Sequence, residues 1–199
     1  MEQTTIIKDT TGNPAPLGLA GFGLTTMLLN FHNAGFFELN TMIAAMGIFY
    51  GGIAQVIVGI MEWKKNNTFG TVAFTSYGLF WLSLVAIWFI PVGEKVETTS
   101  PTGMAAYLGL WCVFSAFLFI GTFKATKALQ VVFGLVVLLF LLLTLAYATH
   151  GNEHLSHVFH KLAGFEGIIC GASALYTGMA QVLNEMYGKV VLPIDCCKK

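Results

Sequence analysis

The chain has 199 residues, of which 56% are hydrophobic, 14% aromatic and only 10% charged, and its mean hydropathy is +0.73. A soluble domain carries about 25% charged residues, so these side chains cannot cover a globular surface in water. The composition is that of an integral membrane protein. All ten of its basic residues are lysines, which disfavours nucleic-acid and phosphate readers, because their forked contacts lean on arginine. Cys112 and Cys170 lie in apolar stretches, whereas Cys196 and Cys197 stand side by side near the end. That spacing suits neither a disulfide scaffold nor a zinc site.

Apolar runs near the ~20 residues that cross a bilayer recur six times, at 17–37, 41–61, 71–90, 103–123, 128–148 and 161–183. Pro14 and Pro16 stand at the mouth of the first run, where proline suits a helix start; Pro91 closes the third and Pro101 precedes the fourth. A membrane barrel requires residue-by-residue alternation, and the run 131–143 does not alternate. The first run is too long, and too weakly basic at its front, for a cleaved signal peptide. The predicted fold is therefore all-α, with six transmembrane helices.

An even number of spans puts both ends on one side. That side collects Lys8, Lys64, Lys65, Lys124, Lys127, Lys189, Lys198 and Lys199, and the opposite side holds Lys95 and Lys161. The positive-inside rule places the lysine-rich side in the cytoplasm. Residues 1–16 read as a cytoplasmic segment, 17–183 as one membrane domain and 184–199 as a cytoplasmic tail. The connections at 91–102 and 149–160 are too short to fold as separate domains.

Polar residues inside the spans are amides and hydroxyls. In the first span Phe22, Thr26, Asn30 and Asn33 share a face at helical spacing. Gly47, Gly51, Gln55 and Gly59 do so in the second, and Gly164, Gly167, Gly171, Ala174 and Gly178 in the sixth. Stripes of small residues read as packing seams that let helix backbones approach. Asn30, Gln55 and Gln130 are costly in lipid, so each must face a partner helix or a wet cavity. With Thr25, Thr26, Ser76, Tyr77 and Ser173 they favour an uncharged polar lining. No cation lies deep in any span, which excludes a voltage sensor and suits a small substrate that can be neutral: a short carboxylic acid, urea, an amide, ammonia, glycerol or water.

Glu166 is the one acidic residue expected inside the bilayer, as a functional candidate or as a group that reaches the surface. Glu62 and Glu185 read as solvated partners of nearby lysines. His32 reads as structural. His150, His154, His157 and His160 crowd one connection, where a solvated face or a mild pH sensor outweighs a metal site. The spans carry neither a nucleophile elbow nor a zincin helix, so catalysis, cofactors and metals are not expected. The segments FYGGIAQV at 49–56 and LYTGMAQV at 175–182 echo each other without defining an inverted repeat.

The run NPAPLGL at 13–19 resembles the signature of the acetate uptake transporter family, the bacterial succinate–acetate permeases with their archaeal and fungal relatives. The likeness continues through GFGLTTMLLNFHN (21–33), AMGIFYGGIAQV (45–56), NTFGTVAFTSYGLFWL (67–82), YLGLW (107–111) and ICGASALY (169–176), and ends in VLNE and VLPI. The resemblance implies a homo-hexamer, each protomer with its own pore, similar to the proton-gated urea channels. It implies proton-linked passage of acetate, and in some members succinate, across the inner membrane. It further implies a hydrophobic constriction of Phe22, Tyr77 and Val136. Val136 is smaller than the leucine usual there, which leaves the gate wider. Thr25, Thr26, Asn30, Gln55, Gln130 and Ser173 would be the polar groups flanking it. A urea or short-amide channel, or a receptor subunit that conducts nothing, are the alternatives that share this lining.

Overall fold

The computed structural model describes residues 11–89 and 97–195; Lys8, Lys95, Lys198, Lys199, Pro91, Cys196 and Cys197 lie outside them. Six long helices carry the chain: α1 (Ala15–Asn33), α2 (Thr41–Lys64), α3 (Thr68–Phe89), α4 (Pro101–Lys124), α5 (Lys127–Ala148) and α6 (Glu153–Tyr187). All except α1 are both long and apolar enough to cross a bilayer. At 19 residues, α1 is about 28 Å long, and more than half of it is buried. Its glycines, threonines and asparagines suit packing among other helices, not exposure to lipid.

Short polar side chains start the helices by accepting from backbone N–H groups that have no intrahelical partner. Asn13 Oδ1 accepts from Ala15 N–H at 3.1 Å, Asn40 Oδ1 from Met42 at 3.0 Å and Asn67 Oδ1 from Gly70 at 3.0 Å. Ser100, Thr126 and Asn152 do the same for α4, α5 and α6. Asn66 and Gly188 adopt the left-handed conformation at the ends of α2 and α6, which favours such residues. Within α2, Gly47–Ala54 forms a π-helix, a widened turn that in general marks functional sites.

Two boundaries differ from the sequence expectation. The first helix stops at Asn33, not near 37, because the chain turns through Gly35 at φ +91°. The last helix begins at Glu153, so the histidine stretch expected in a connection is largely helical, started by Asn152. At 35 residues α6 spans about 52 Å and exceeds the bilayer core of about 30 Å.

The helices form a closed ring in the order α3, α2, α1, α6, α5, α4. Its tightest seam joins α1 and α6 as antiparallel neighbours. A Cβ at Gly23 would fall 2.6 Å from the Gly171 carbonyl oxygen, and one at Gly171 would fall 2.5 Å from that of Gly23. The ring closes between α3 and α4 through long side chains: Tyr77 Oη lies 2.8 Å from Ser115 Oγ, Ser83 Oγ 2.6 Å from Tyr107 Oη, and Phe80 stacks on Tyr107 at 5.9 Å. Backbones held apart in this way leave room inside the ring. Outside it, Leu110, Phe117, Phe49 and Trp63 are among many exposed apolar side chains, as a lipid-facing surface requires.

Residues 11–14 and 188–195 share one end of the bundle, called here the proximal end. Asn13 Nδ2 donates to Gln181 Oε1 at 2.9 Å, and Ala128 N–H donates to Ile194 O at 2.9 Å. The stretch after α6 is tied down: Asn184 Oδ1 accepts from Val191 and Leu192, and Tyr176 Oη donates to Pro193 O.

Candidate functional site: two cavities meeting at Phe22 and Val136

The ring encloses two cavities. The proximal one, about 540 Å³, is lined by apolar side chains of α1, α3 and α5, with Asn13, Glu62, Asn67, Gln181 and Asn184 about its mouth. The distal one, about 100 Å³, runs between Thr26, Asn30, Trp81 and Leu108 toward His32 and His160. Phe22 and Val136 line both. They stand where the two approach, and each is buried.

Phe22, Tyr77 and Val136 come from α1, α3 and α5 and belong to one buried cluster. The rings of Phe22 and Tyr77 lie 5.8 Å apart, and Tyr77 lines the proximal cavity. Around Tyr77 stand Phe114, Phe133 and Trp111 at 5.9, 6.1 and 6.3 Å. Of these rings Phe133 lines the proximal cavity, whereas Phe114 and Trp111 line neither cavity. The Tyr77 hydroxyl is engaged with Ser115 at 2.8 Å, which holds the ring in place. Ser115, fully buried, is a partner of Tyr77 that sequence reasoning missed: one serine in a helix gives no signal of its own.

Of the polar lining residues expected, Thr26 and Asn30 line the distal cavity and Gln55 the proximal one. The other three are corrected. Thr25 is fully buried and donates to Met46 O at 3.4 Å, tying α1 to α2, because it sits on a different face of α1 from Phe22, Thr26 and Asn30. Gln130 lies in the first turn of α5, accepts from Lys127 Nζ at 3.0 Å and donates to Ala125 O. Ser173 donates back to Cys170 O at 2.7 Å. None of the three lines either cavity.

The buried polar atoms without a hydrogen-bond partner among the described residues mark what the cavities offer. Thr26 Oγ1 and Trp81 Nε1 belong to residues of the distal cavity, and Gln55 Oε1 and Glu62 Oε1 to residues of the proximal one. Such atoms are costly unless something polar meets them. Thr26 and Trp81 supply an O–H and an N–H, the groups that replace water around an anion. Asn30 is held by bonds to Thr26 O at 2.9 Å and from Asn33 Nδ2 at 3.0 Å.

Three ionisable groups differ from expectation or sharpen it. Glu62 is not a solvated partner of a lysine. It is 3% exposed and accepts from Asn67 Nδ2 at 2.7 Å. Both oxygens of Glu166 are buried without a partner among the described residues, away from both cavities. His32 Nδ1 lies 2.9 Å from Phe37 O, a structural bond. Of the histidine stretch, His150 and His160 bond the Tyr147 and Ser156 carbonyls. Among the described residues no three His, Cys, Asp or Glu side chains gather as a metal site.

The chain is similar to known proteins over nearly all its length. It is 53% identical over 182 residues to the succinate-acetate/proton symporter SatP of Escherichia coli strain K12, covering 92% of this chain and 94% of that one. It is 31% identical over 195 residues to acetate permease A of Emericella nidulans, covering 92% of this chain and 65% of the permease. Its fold matches the solved structure of the bacterial acetate channel SatP with a TM-score of 0.87 and 52% identity, over 93% of this chain and 99% of that one. These relatives are transporters and channels, not enzymes. The model of the GPR1/FUN34/yaaH family matches residues 2–194, and the chain belongs to that family.

Proposed function

We propose that the chain carries acetate, and related short carboxylates such as succinate, together with protons across the cytoplasmic membrane, through a path within each protomer. The observation that carries this reading is the pair of cavities meeting at Phe22 and Val136. In this reading Phe22, Tyr77 and Val136 form the constriction, with Thr26, Asn30 and Gln55 as the polar groups on either side. A bare carboxylate loses its hydration in an apolar collar at high cost. Donors on both sides shorten the stretch over which that cost applies. Acetate presents a small methyl end to the rings, and a diacid must pass extended. The described proximal end carries Lys64, Lys65, Lys124, Lys127 and Lys189, which supports placing both chain ends in the cytoplasm. Residues 17–183 then form the membrane domain, flanked by 1–16 and 184–199. The protomers assemble as a homo-hexamer resembling the urea channels in this reading.

Purified protein in liposomes tests it. Labelled acetate should enter faster than into protein-free liposomes, and faster still under an inward proton gradient. Urea flux without acetate flux would replace the reading by an amide channel. Flux of neither would leave a receptor or assembly subunit.

A further inference from the structure

We propose that Glu62 binds the proton that accompanies the carboxylate. This rests on the transport reading above and assigns its proton to one side chain.

Glu62 occupies the last turn of α2 and is 3% exposed. Its Oε2 accepts from Asn67 Nδ2 at 2.7 Å, while Oε1 is buried and meets no partner among the described residues. Gly70 of α3 closes over it: a Cβ there would fall 2.9 Å from both Cγ and Cδ of Glu62. The site thus holds a carboxyl group beside a backbone that leaves no room for another side chain. Glu62 lines the proximal cavity of about 540 Å³, on the route to the collar.

Within the proximal cavity the polar groups that accompany Glu62 are uncharged. The segment before α1 offers Asn13, α3 offers Asn67, the turn before α5 offers Thr126, and α6 offers Gln181 and Asn184. Glu62 also lines an adjoining hollow together with the charged Lys65 and Glu185, and there Lys65 Nζ donates to Thr11 O. Among the described residues the cavity lining holds no cationic side chain. An anion in this cavity therefore shares a largely apolar space with a carboxyl group of its own charge. Two carboxylates in one such site retain a proton between them. Protonated Glu62 presents an O–H to the cavity, and its proton is drawn from water at the mouth. Substrate anion and proton then occupy the cavity together, and the loaded cavity has no added charge.

The test is Glu62→Gln, which keeps shape and polarity and cannot ionise. In liposomes, corrected for acid crossing protein-free lipid, the wild type should move about one proton per acetate and ignore an imposed membrane potential. E62Q should move acetate without its proton. An inside-positive potential of about 59 mV should then accumulate the anion about tenfold. Glu62→Asp should keep the coupling. A measurement on the wild type alone serves if E62Q fails to fold: infrared difference spectra with carbon-13 acetate should show a protein carboxylic-acid band that appears on binding and does not shift with the label. No acetate flux from the wild type would overturn the transport reading and this proposal together. Coupling that survives in E62Q, or a binding spectrum without that protein band, would overturn the proposal alone.

Discussion

Replacing Gly171 by alanine places a methyl group where the structure has a backbone. Its Cβ would stand 2.5 Å from the Gly23 carbonyl oxygen, and ordinary contact needs about 3.5 Å. The α1–α6 seam must therefore open by about 1 Å, a gap that forfeits a quarter to a half of the dispersion energy across it. Overpacking of this kind costs about 1–3 kcal/mol. Alanine returns about 0.5–1 kcal/mol by narrowing the unfolded ensemble. The net loss is then up to about 2.5 kcal/mol, equivalent to a melting temperature lower by up to about 10 °C for a chain of this size. Gly109 is the control. A Cβ there meets only Thr144, at 3.6 and 4.0 Å, so G109A should raise the midpoint by about 1–4 °C. Thermal unfolding in detergent, followed by tryptophan fluorescence, reads both. Acetate flux should fall in G171A alone, since Phe22 adjoins Gly23 and moves with the seam. Equal shifts of the same sign in the two variants would refute the close-approach argument.

Ser115→Ala leaves the buried Tyr77 hydroxyl unpaired at about 1–3 kcal/mol, lowering the melting temperature. The coupling between S115A and Tyr77→Phe in a double-mutant cycle should be about 1 kcal/mol. Val136→Leu adds one methylene beside the distal cavity, so stability should change by less than about 1.5 kcal/mol; the initial uptake rate should favour acetate over succinate more strongly than in the wild type. Glu166→Met replaces a carboxyl group whose two oxygens have no partner among the described residues, and should stabilise the protein by about 1–3 kcal/mol in denaturation without altering acetate uptake.

Six hydrophobic runs and the small-residue stripes made the helices and the α1–α6 seam legible from sequence, because burial and lipid exposure act on composition over whole turns. The grouping of Phe22, Tyr77 and Val136 was expected only by likeness to a family. What the sequence hid depends on side-chain direction. Thr25 and Thr26 are adjacent and chemically alike, yet one bonds a neighbouring helix and the other lines a cavity. Glu62 was masked by Lys64 and Lys65, which suggested solvent, whereas Asn67 and Gly70 across the α2–α3 turn enclose it. Ser115 became meaningful only once α4 stood against α3.

The two cavities measure about 540 and about 100 Å³, and that inequality gives the molecule a handedness toward inhibitors. A carboxylate too bulky for the collar can lodge in the wide cavity but has no comparable space in the narrow one. Block by such a compound is therefore one-sided. Added outside a vesicle in membrane-impermeant form, it silences only the protomers whose wide mouth faces outward. The residual flux then counts the molecules inserted the other way round, so the shape of the interior supplies its own gauge of orientation.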